Sequence, residues 1–268
     1  MSKKTVSGTK EWASSNFNVM RGCANGCLYC YACANAIRFN QKEPGTWTHE
    51  EVNEKAAKRV FGLRDGTIMY PTTHDFTLAN LEHTLPPLVR MLEAGNQVLV
   101  VSKPNLHVIW EMCEACEKYK DQILFRFTIG SGLDEVLSFW EPNAPAFMSR
   151  LESLSFAFEK GFKTSVSMEP LLDVVEDVVL ATVSALEDYV TDAIWIGKMN
   201  RLEERLQRNG VEITHAMKVM GKTLLQSQSD ERILSLYEKL KDHPKIKWKE
   251  SIKKVVGLQI PTEAGLDI

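Results

Sequence analysis

The chain has 268 residues, with 32 Lys+Arg against 35 Asp+Glu for a formal charge of −3, 44% hydrophobic and 25% charged residues. This is the composition of an ordinary globular protein and excludes disordered, collagen-like and coiled-coil classes. A chain this long buries a self-sufficient core without disulfides, so its six cysteines are expected as reduced thiols or metal ligands. Aliphatic runs such as Val98–Val101 stay far short of the ~20 apolar residues of a membrane span. The opening Met1–Gly8 has two lysines with no apolar run behind them, so no secretory signal, no membrane association and a cytoplasmic location are expected.

Apolar runs bounded by turn residues predict strands at Phe17–Met20, Thr67–Tyr70, Gln97–Ser102, Ile123–Ile129, Thr164–Met168 and Ala193–Gly197. Three- and four-residue apolar spacing predicts helices between them, at Glu50–Phe61, Leu78–Glu93, Leu106–Lys118, Ala146–Lys160 and Val174–Tyr189, and a further helix starts near Tyr31. Strict alternation of strand and helix argues for parallel βαβ units in one large α/β domain, residues 1–268, with a core over about 12–200. The rest, about 201–268, reads as a helical extension (Arg201–Arg208, Ile213–Leu225, Glu231–Lys241) closing on Lys245–Lys249 as a candidate last strand. Two units match: in Glu93-Ala94-Gly95 through Lys103-Pro104 and in Glu159-Lys160-Gly161 through Glu169-Pro170, the charged residue falls eight positions after the glycine. Each glycine suits a helix end and each proline stops a strand, so Lys103 and Glu169 sit at strand C-terminal ends, the rim where β/α barrels build their sites.

Four cysteines fall within eleven residues, and Cys23-Ala-Asn-Gly-Cys27-Leu-Tyr-Cys30 directly follows the first predicted strand. Three thiolates on one tight loop hold three irons of a [4Fe–4S] cube and leave the fourth open. Zinc is the competing reading, with Cys33 as a fourth ligand or a register of Cys27, Cys30 and Cys33; otherwise Cys33 is a small apolar residue of its helix. Cys113-Glu-Ala-Cys116 lies inside a predicted helix without His or Cys neighbours, so packing is expected there. Asp75 is expected to cap a helix beginning near Thr77, and none of the histidines shows ligand spacing.

The C-x3-C-x2-C spacing with the aromatic Tyr29 before its last cysteine resembles the signature of the radical S-adenosylmethionine (SAM) superfamily, closest to the spore photoproduct lyase-like and phage Gp37/Gp68-like branches. The similarity runs from about Trp12 to Asn200, through Asn18-x3-Gly22, Cys30-Tyr31-Ala32, Thr72-Thr73-His74-Asp75, Ser102-Lys103-Pro104, Phe127-Thr128-Ile129, Glu169-Pro170-Leu171 and Trp195-Ile-Gly-x-Met-Asn200.

That resemblance implies a partial (β/α)6 TIM-type barrel, a [4Fe–4S] cluster on Cys23, Cys27 and Cys30, and SAM cleaved to a 5′-deoxyadenosyl radical that takes hydrogen from a substrate. It implies Lys103 at the SAM carboxylate, Thr128 at the ribose or carboxylate, and Tyr29 beside adenine. Thr72 and Thr73 stand where the superfamily more often has Gly-Gly-Glu, so backbone carbonyls there would meet the amino group. Glu169, Arg126, Lys198 and Asn200 are expected to project toward the cavity, as substrate contacts or as rim salt bridges. An external electron donor of the flavodoxin or ferredoxin type is implied as a partner. The thiol that spore photoproduct lyase uses to return hydrogen has no counterpart between Cys33 and Cys113, which argues against thymine-dimer repair. The expected substrate is a nucleic-acid base or nucleotide, with a peptide or small metabolite as the alternative, and a zinc-stabilised binding protein as the non-catalytic one. The charge of −3 offers no general attraction for phosphate. Only Lys241, Lys245, Lys247, Lys249, Lys253 and Lys254 around Trp248 offer a local basic stretch, either a nucleic-acid contact or a solvated strand and helix.

Overall fold

The structure is a computed structural model that describes residues 6–266; Met1–Thr5, part of the opening read above for a signal, lie outside the described residues. Seven strands form one sheet in sequence order: β1 (Ser15–Asn16), β2 (Thr67–Tyr70), β3 (Gln97–Ser102), β4 (Ile123–Thr128), β5 (Lys163–Met168), β6 (Ile194–Ile196) and β7 (Ile246–Trp248). Every neighbouring pair is parallel, with Val98 opposite Ile123 and Val166 opposite Ile194. The helices α1 (Tyr31–Arg38), α2 (Leu81–Glu93), α3 (Leu106–Cys116), α4 (Asp134–Trp140), α5 (Phe147–Glu159) and α6 (Glu176–Glu187) lie between strands, and α7 (Leu202–Arg208), α8 (His215–Ser227) and α9 (Asp230–Leu240) precede β7. A last helix, α10 (Glu250–Val256), follows it.

Side chains alternate across each strand. Ile68, Tyr70, Val98, Val100, Phe125, Phe127, Val166 and Met168 pack outward in one core with helix residues such as Leu88, Met112 and Leu154. On the other face Met69 of β2 and Leu99 of β3 meet Trp195 of β6 together with Trp12, so the sheet curls until distant strands touch: a partial TIM-type barrel. The remaining gap between β1 and β7 is closed by chain ends. Val6 N–H donates to the Pro261 carbonyl at 2.9 Å, Gly265 N–H to Lys10 at 2.8 Å, and Glu250 N–H to the Glu11 carboxylate at 3.1 Å.

Several expectations shift. The first strand pairs at Ser15–Asn16, ahead of Phe17–Met20; Met20–Arg21 instead pairs antiparallel with Glu51–Val52. Residues expected as the helix Glu50–Phe61 thus hold that strand, one helical turn at Glu54–Ala57, and coil. Its apolar residues Val52, Ala56, Ala57 and Phe61 do pack on the core, but from strand, turn and coil instead of one helical face, and Val60 is 85% exposed. The candidate last strand at Lys245–Lys249 does form, as β7, and joins the barrel sheet beside β6. Arg126 does not reach the mouth: it is fully buried mid-strand, between the rings of Trp12 and Trp195 at 4.7 and 5.4 Å, and paired with Asp192 at 3.0 Å. Cys113 and Cys116 pack in the outer core, where burial pushes each thiol up to about 12.

Asp75 does not cap α2, which starts at Leu81 after Asn80. Its neighbour His74 is buried, its Nε2 accepts from Val19 N–H at 3.1 Å, and its Nδ1 lies 3.2 Å from the Asp75 carbonyl, which fixes the Nδ1–H tautomer. Burial lowers its pKa to about 4. The unfolded chain therefore binds a proton that the folded chain refuses between about 4 and the ordinary value of ~6.5, and stability is lost as pH decreases across that window, by up to about 3 kcal/mol. Urea unfolding at several pH values is expected to give a shallower acid slope for His74→Gln than for the wild type; equal slopes would refute this assignment.

Candidate active site

A cavity of about 1000 Å³ opens at the C-terminal ends of the strands, and Cys23, Cys27 and Cys30 all line it. The cysteine loop is held by its own backbone. Gly22 has φ +104°, and a Cβ there would lie 2.6 Å from the His49 carbonyl oxygen and 2.8 Å from that of Trp47, so only glycine brings the chain this close before Cys23. Cys23 N–H donates to Trp47 at 2.9 Å, Cys30 N–H to the Cys27 carbonyl at 3.1 Å, and Leu28 N–H to Trp140 at 2.9 Å. From α7, the Asn209 amide donates to the carbonyls of Leu28 and Cys30 at 2.9 and 3.1 Å. Cys30 then starts α1, its Sγ accepting from Cys33 N–H at 3.4 Å.

All three thiols are pushed up by burial: Cys27 to about 12, Cys23 well above its ordinary value with Asp75 adding to it, and Cys30 less far because the Cys33 N–H and Lys103 oppose the shift. Metal binding must therefore displace their protons. Cys33 is buried against Ala32, Ala36 and Trp47 and does not line the cavity. Among the described residues no three His, Cys, Asp or Glu side chains converge as a single ion requires. A cube takes one thiolate per iron, and three thiols on one loop at one cavity fit that demand.

Two buried carboxylates brace the loop. Asp75 accepts from the Asn25 amide at 2.8 Å, the Lys103 N–H at 2.9 Å, the Phe76 N–H at 2.8 Å and the Ser102 hydroxyl, tying the loop to the ends of β2 and β3. Glu141, just after α4, pairs with Arg150 of α5 at 2.6 Å, both side chains fully buried, and accepts from the Tyr29 hydroxyl. Arg150 also donates to the Thr128 carbonyl at 3.1 Å. Burial alone would raise Glu141, but Arg150, Lys103 and Tyr29 hold it below its ordinary value.

The residues expected at the mouth divide. Tyr29, Thr72, Thr73, Lys103, Thr128, Glu169, Lys198 and Asn200 all line the cavity. The Lys103 ammonium lies 3.7 Å from Glu141. Burial opposes its charge, but Cys27, Glu141, Tyr29 and Asp75 outweigh burial and hold it well above its ordinary value. Thr72 and Thr73 donate their backbone N–H groups to Asn18 at 2.7 and 2.9 Å, while the Tyr31 hydroxyl donates to the Thr72 carbonyl. Glu169 pairs with Lys249 at 3.4 Å; burial raises its pKa against that cation. Lys198 pairs with Asp230 at 3.3 Å.

In the basic stretch the aromatic and two of the lysines are buried, while Lys241 and Lys254 are exposed. Trp248 is 6% exposed and packs on Tyr237 at 5.4 Å, Lys253 is buried, and Lys249 is buried between Glu11 at 2.9 Å and Glu169. A base cannot stack on Trp248. Sequence reasoning missed Glu141, Arg150, Arg205 and Asn209. Only the Arg201-x3-Arg205-x2-Arg208 spacing carried a readable signal, three cations on one helical face.

No protein-family model matches the chain. It is 25% identical over 259 residues to an uncharacterized protein of Acidianus two-tailed virus, ORF301, across 88% of this chain and 82% of that one. Among solved structures, it superposes on spore photoproduct lyase with bound AdoMet and dinucleoside spore photoproduct at a TM-score of 0.55 and 14% identity, covering 92% of this chain and 79% of that one. SuiB from Streptococcus suis, bound to S-adenosylmethionine, gives a TM-score of 0.52 at 9% identity over 87% of this chain and 46% of that one. At these identities the likeness is one of fold. No described helix is long and apolar enough to cross a membrane.

Proposed function

We propose that this chain is a radical SAM enzyme in which Cys23, Cys27 and Cys30 hold a [4Fe–4S] cluster. The observation that carries the reading is that these three free thiols, and not Cys33, line one cavity beside Lys103 at the barrel's C-terminal mouth. When bound, the cluster supplies the electron that cleaves SAM reductively, drawn from an external donor of the flavodoxin or ferredoxin type.

The chain's own part is placement. Lys103 presents a cation to the SAM carboxylate and is itself held by Glu141. Thr128 lies at the end of β4 with its backbone fixed by Arg150, which sets its hydroxyl against the ribose or carboxylate. The Tyr29 hydroxyl is anchored on Glu141, so the ring stands in a fixed orientation at the cavity wall, beside adenine. Asn18 fixes the 72–73 segment, and since the Thr72 carbonyl already accepts from the Tyr31 hydroxyl, the Thr73 carbonyl is the acceptor offered to the amino group. The enclosing walls exclude water from the reacting centre. The substrate in this reading is a nucleic-acid base or nucleotide, single-stranded or extruded.

The test is an anaerobic EPR spectrum of the dithionite-reduced protein reconstituted with iron and sulfide, with and without SAM. A [4Fe–4S]⁺ signal that changes on adding SAM is expected, with the signal lost in Cys27→Ala. Absence of a cluster, or a cluster indifferent to SAM, would overturn the proposal.

A further inference from the structure

Helix α7 divides its faces sharply. Leu202 and Leu206 are buried with Tyr29 and Met217, while Arg201, Arg205 and Arg208, spaced four and three apart, all line the cavity. Glu204 occupies two of these cations, pairing with Arg201 at 2.6 Å and Arg208 at 3.1 Å. Arg205 is different. Among the described residues it makes no ion pair and its side chain no hydrogen bond, although it is half-buried in the wall beside Cys30, Tyr31 and Glu169. Burial lowers its pKa, and Arg201 pushes the same way. A half-buried guanidinium whose five donors meet no acceptor in the protein is poorly satisfied by the protein alone, and its planar fork matches phosphate.

The geometry points to Arg205 as the anchor for a phosphate group of the substrate, with Arg201 and Arg208 on the flanks. The inference takes from the proposed function only that the cavity is where substrate binds. One helix then presents three arginines against one glutamate to the cavity of a chain whose net charge is −3, so a phosphorylated ligand is drawn to the mouth and not to the surface at large. Lys103, already beside Glu141 at 3.7 Å, is left for the SAM carboxylate. Arg205 is a binding residue in this scheme and takes no part in bond making.

The test uses the full chain and three probes, measured by equilibrium binding: a labelled short single-stranded oligodeoxynucleotide, inorganic tripolyphosphate as its competitor, and S-adenosylhomocysteine. Arg205→Gln is expected to weaken both phosphate probes about tenfold or more and to lower the salt slope of oligonucleotide binding by about one. S-adenosylhomocysteine binding and the EPR signal of the reconstituted cluster are expected to stay as in the wild type. Arg205→Lys recovers part of the loss, and Lys160→Gln, on an exposed distant helix end, changes nothing. Unchanged phosphate binding in Arg205→Gln overturns the inference, as does a loss confined to S-adenosylhomocysteine, which would give the arginine to the SAM carboxylate. A changed cluster signal with unchanged phosphate binding overturns it as well, by making Arg205 a positioning residue of the cysteine loop. Because binding is read without turnover, failure here and failure to assemble a SAM-responsive cluster are separate results.

Discussion

Arg150→Met is expected to destabilise the protein by about 3–5 kcal/mol, because it leaves the Glu141 carboxylate buried with its closest cation gone. The Arg150 side chain also holds the carbonyls of Thr128 and Pro145, at 3.1 and 2.7 Å, so the end of β4 loosens with it. Glu141 is held below its ordinary value in the wild type, and a depressed carboxylate contributes stability above its unfolded pKa that is lost as pH falls through the folded one. The variant loses that contribution, and its deficit is therefore largest at neutral pH. Urea unfolding measures it, and a change below about 1 kcal/mol would rule out this account. Combining Arg150→Met with Glu141→Gln removes the stranded charge, and the double variant is expected to recover part of the loss.

Lys249→Met is expected to cost a similar ~3–5 kcal/mol at neutral pH, for a different reason. Its ammonium sits between the Glu11 and Glu169 carboxylates, over the face of Trp12 at 3.8 Å and within 3.2 Å of the Gly8 carbonyl. Removing it puts two carboxylates together in a poorly solvated place. Burial already raises Glu169, and losing its cation raises it further, so the folded variant takes up a proton that the unfolded chain does not hold. Stability of the variant relative to the wild type then rises as pH falls toward the ordinary carboxylate range. A deficit that grows on acidification would contradict this.

The barrel was legible in the sequence where a strand carries an unbroken apolar run between a helix-ending glycine and a stopping proline. Val98–Val101 is such a run, and β3 falls at the expected Gln97–Ser102. Legibility failed at the first strand, where the paired residues end at Asn16 and the buried Phe17 and Val19 lie beyond them, and where an apolar residue of the expected helix is not buried at all, as with Val60, 85% exposed. The cysteine loop, Lys103 and Glu169 were visible because local spacing places them at strand ends. Glu141 was not, since nothing in Glu141-Pro-Asn-Ala-Pro145 announces a partner 112 positions away in Tyr29. Asp75 was misread for the same reason: a carboxylate before a helix looks like a cap until Asn25, Ser102 and Lys103 are seen converging on it. Arg126 followed the opposite course, with strand alternation alone unable to say at which depth of the barrel an inward side chain stops.

The Asn209 amide sets an order on events during synthesis. The two carbonyls it clamps lie 181 and 179 positions earlier in the chain. Until that residue has left the ribosome and α7 has docked, Leu28 and Cys30 lack their closing hydrogen bonds, and the cysteine loop belongs to a half-built barrel. Contacts of such long sequence separation form late, because the entropy of closing the intervening chain must be met first. The cysteine loop therefore reaches its closed form only on a nearly finished fold.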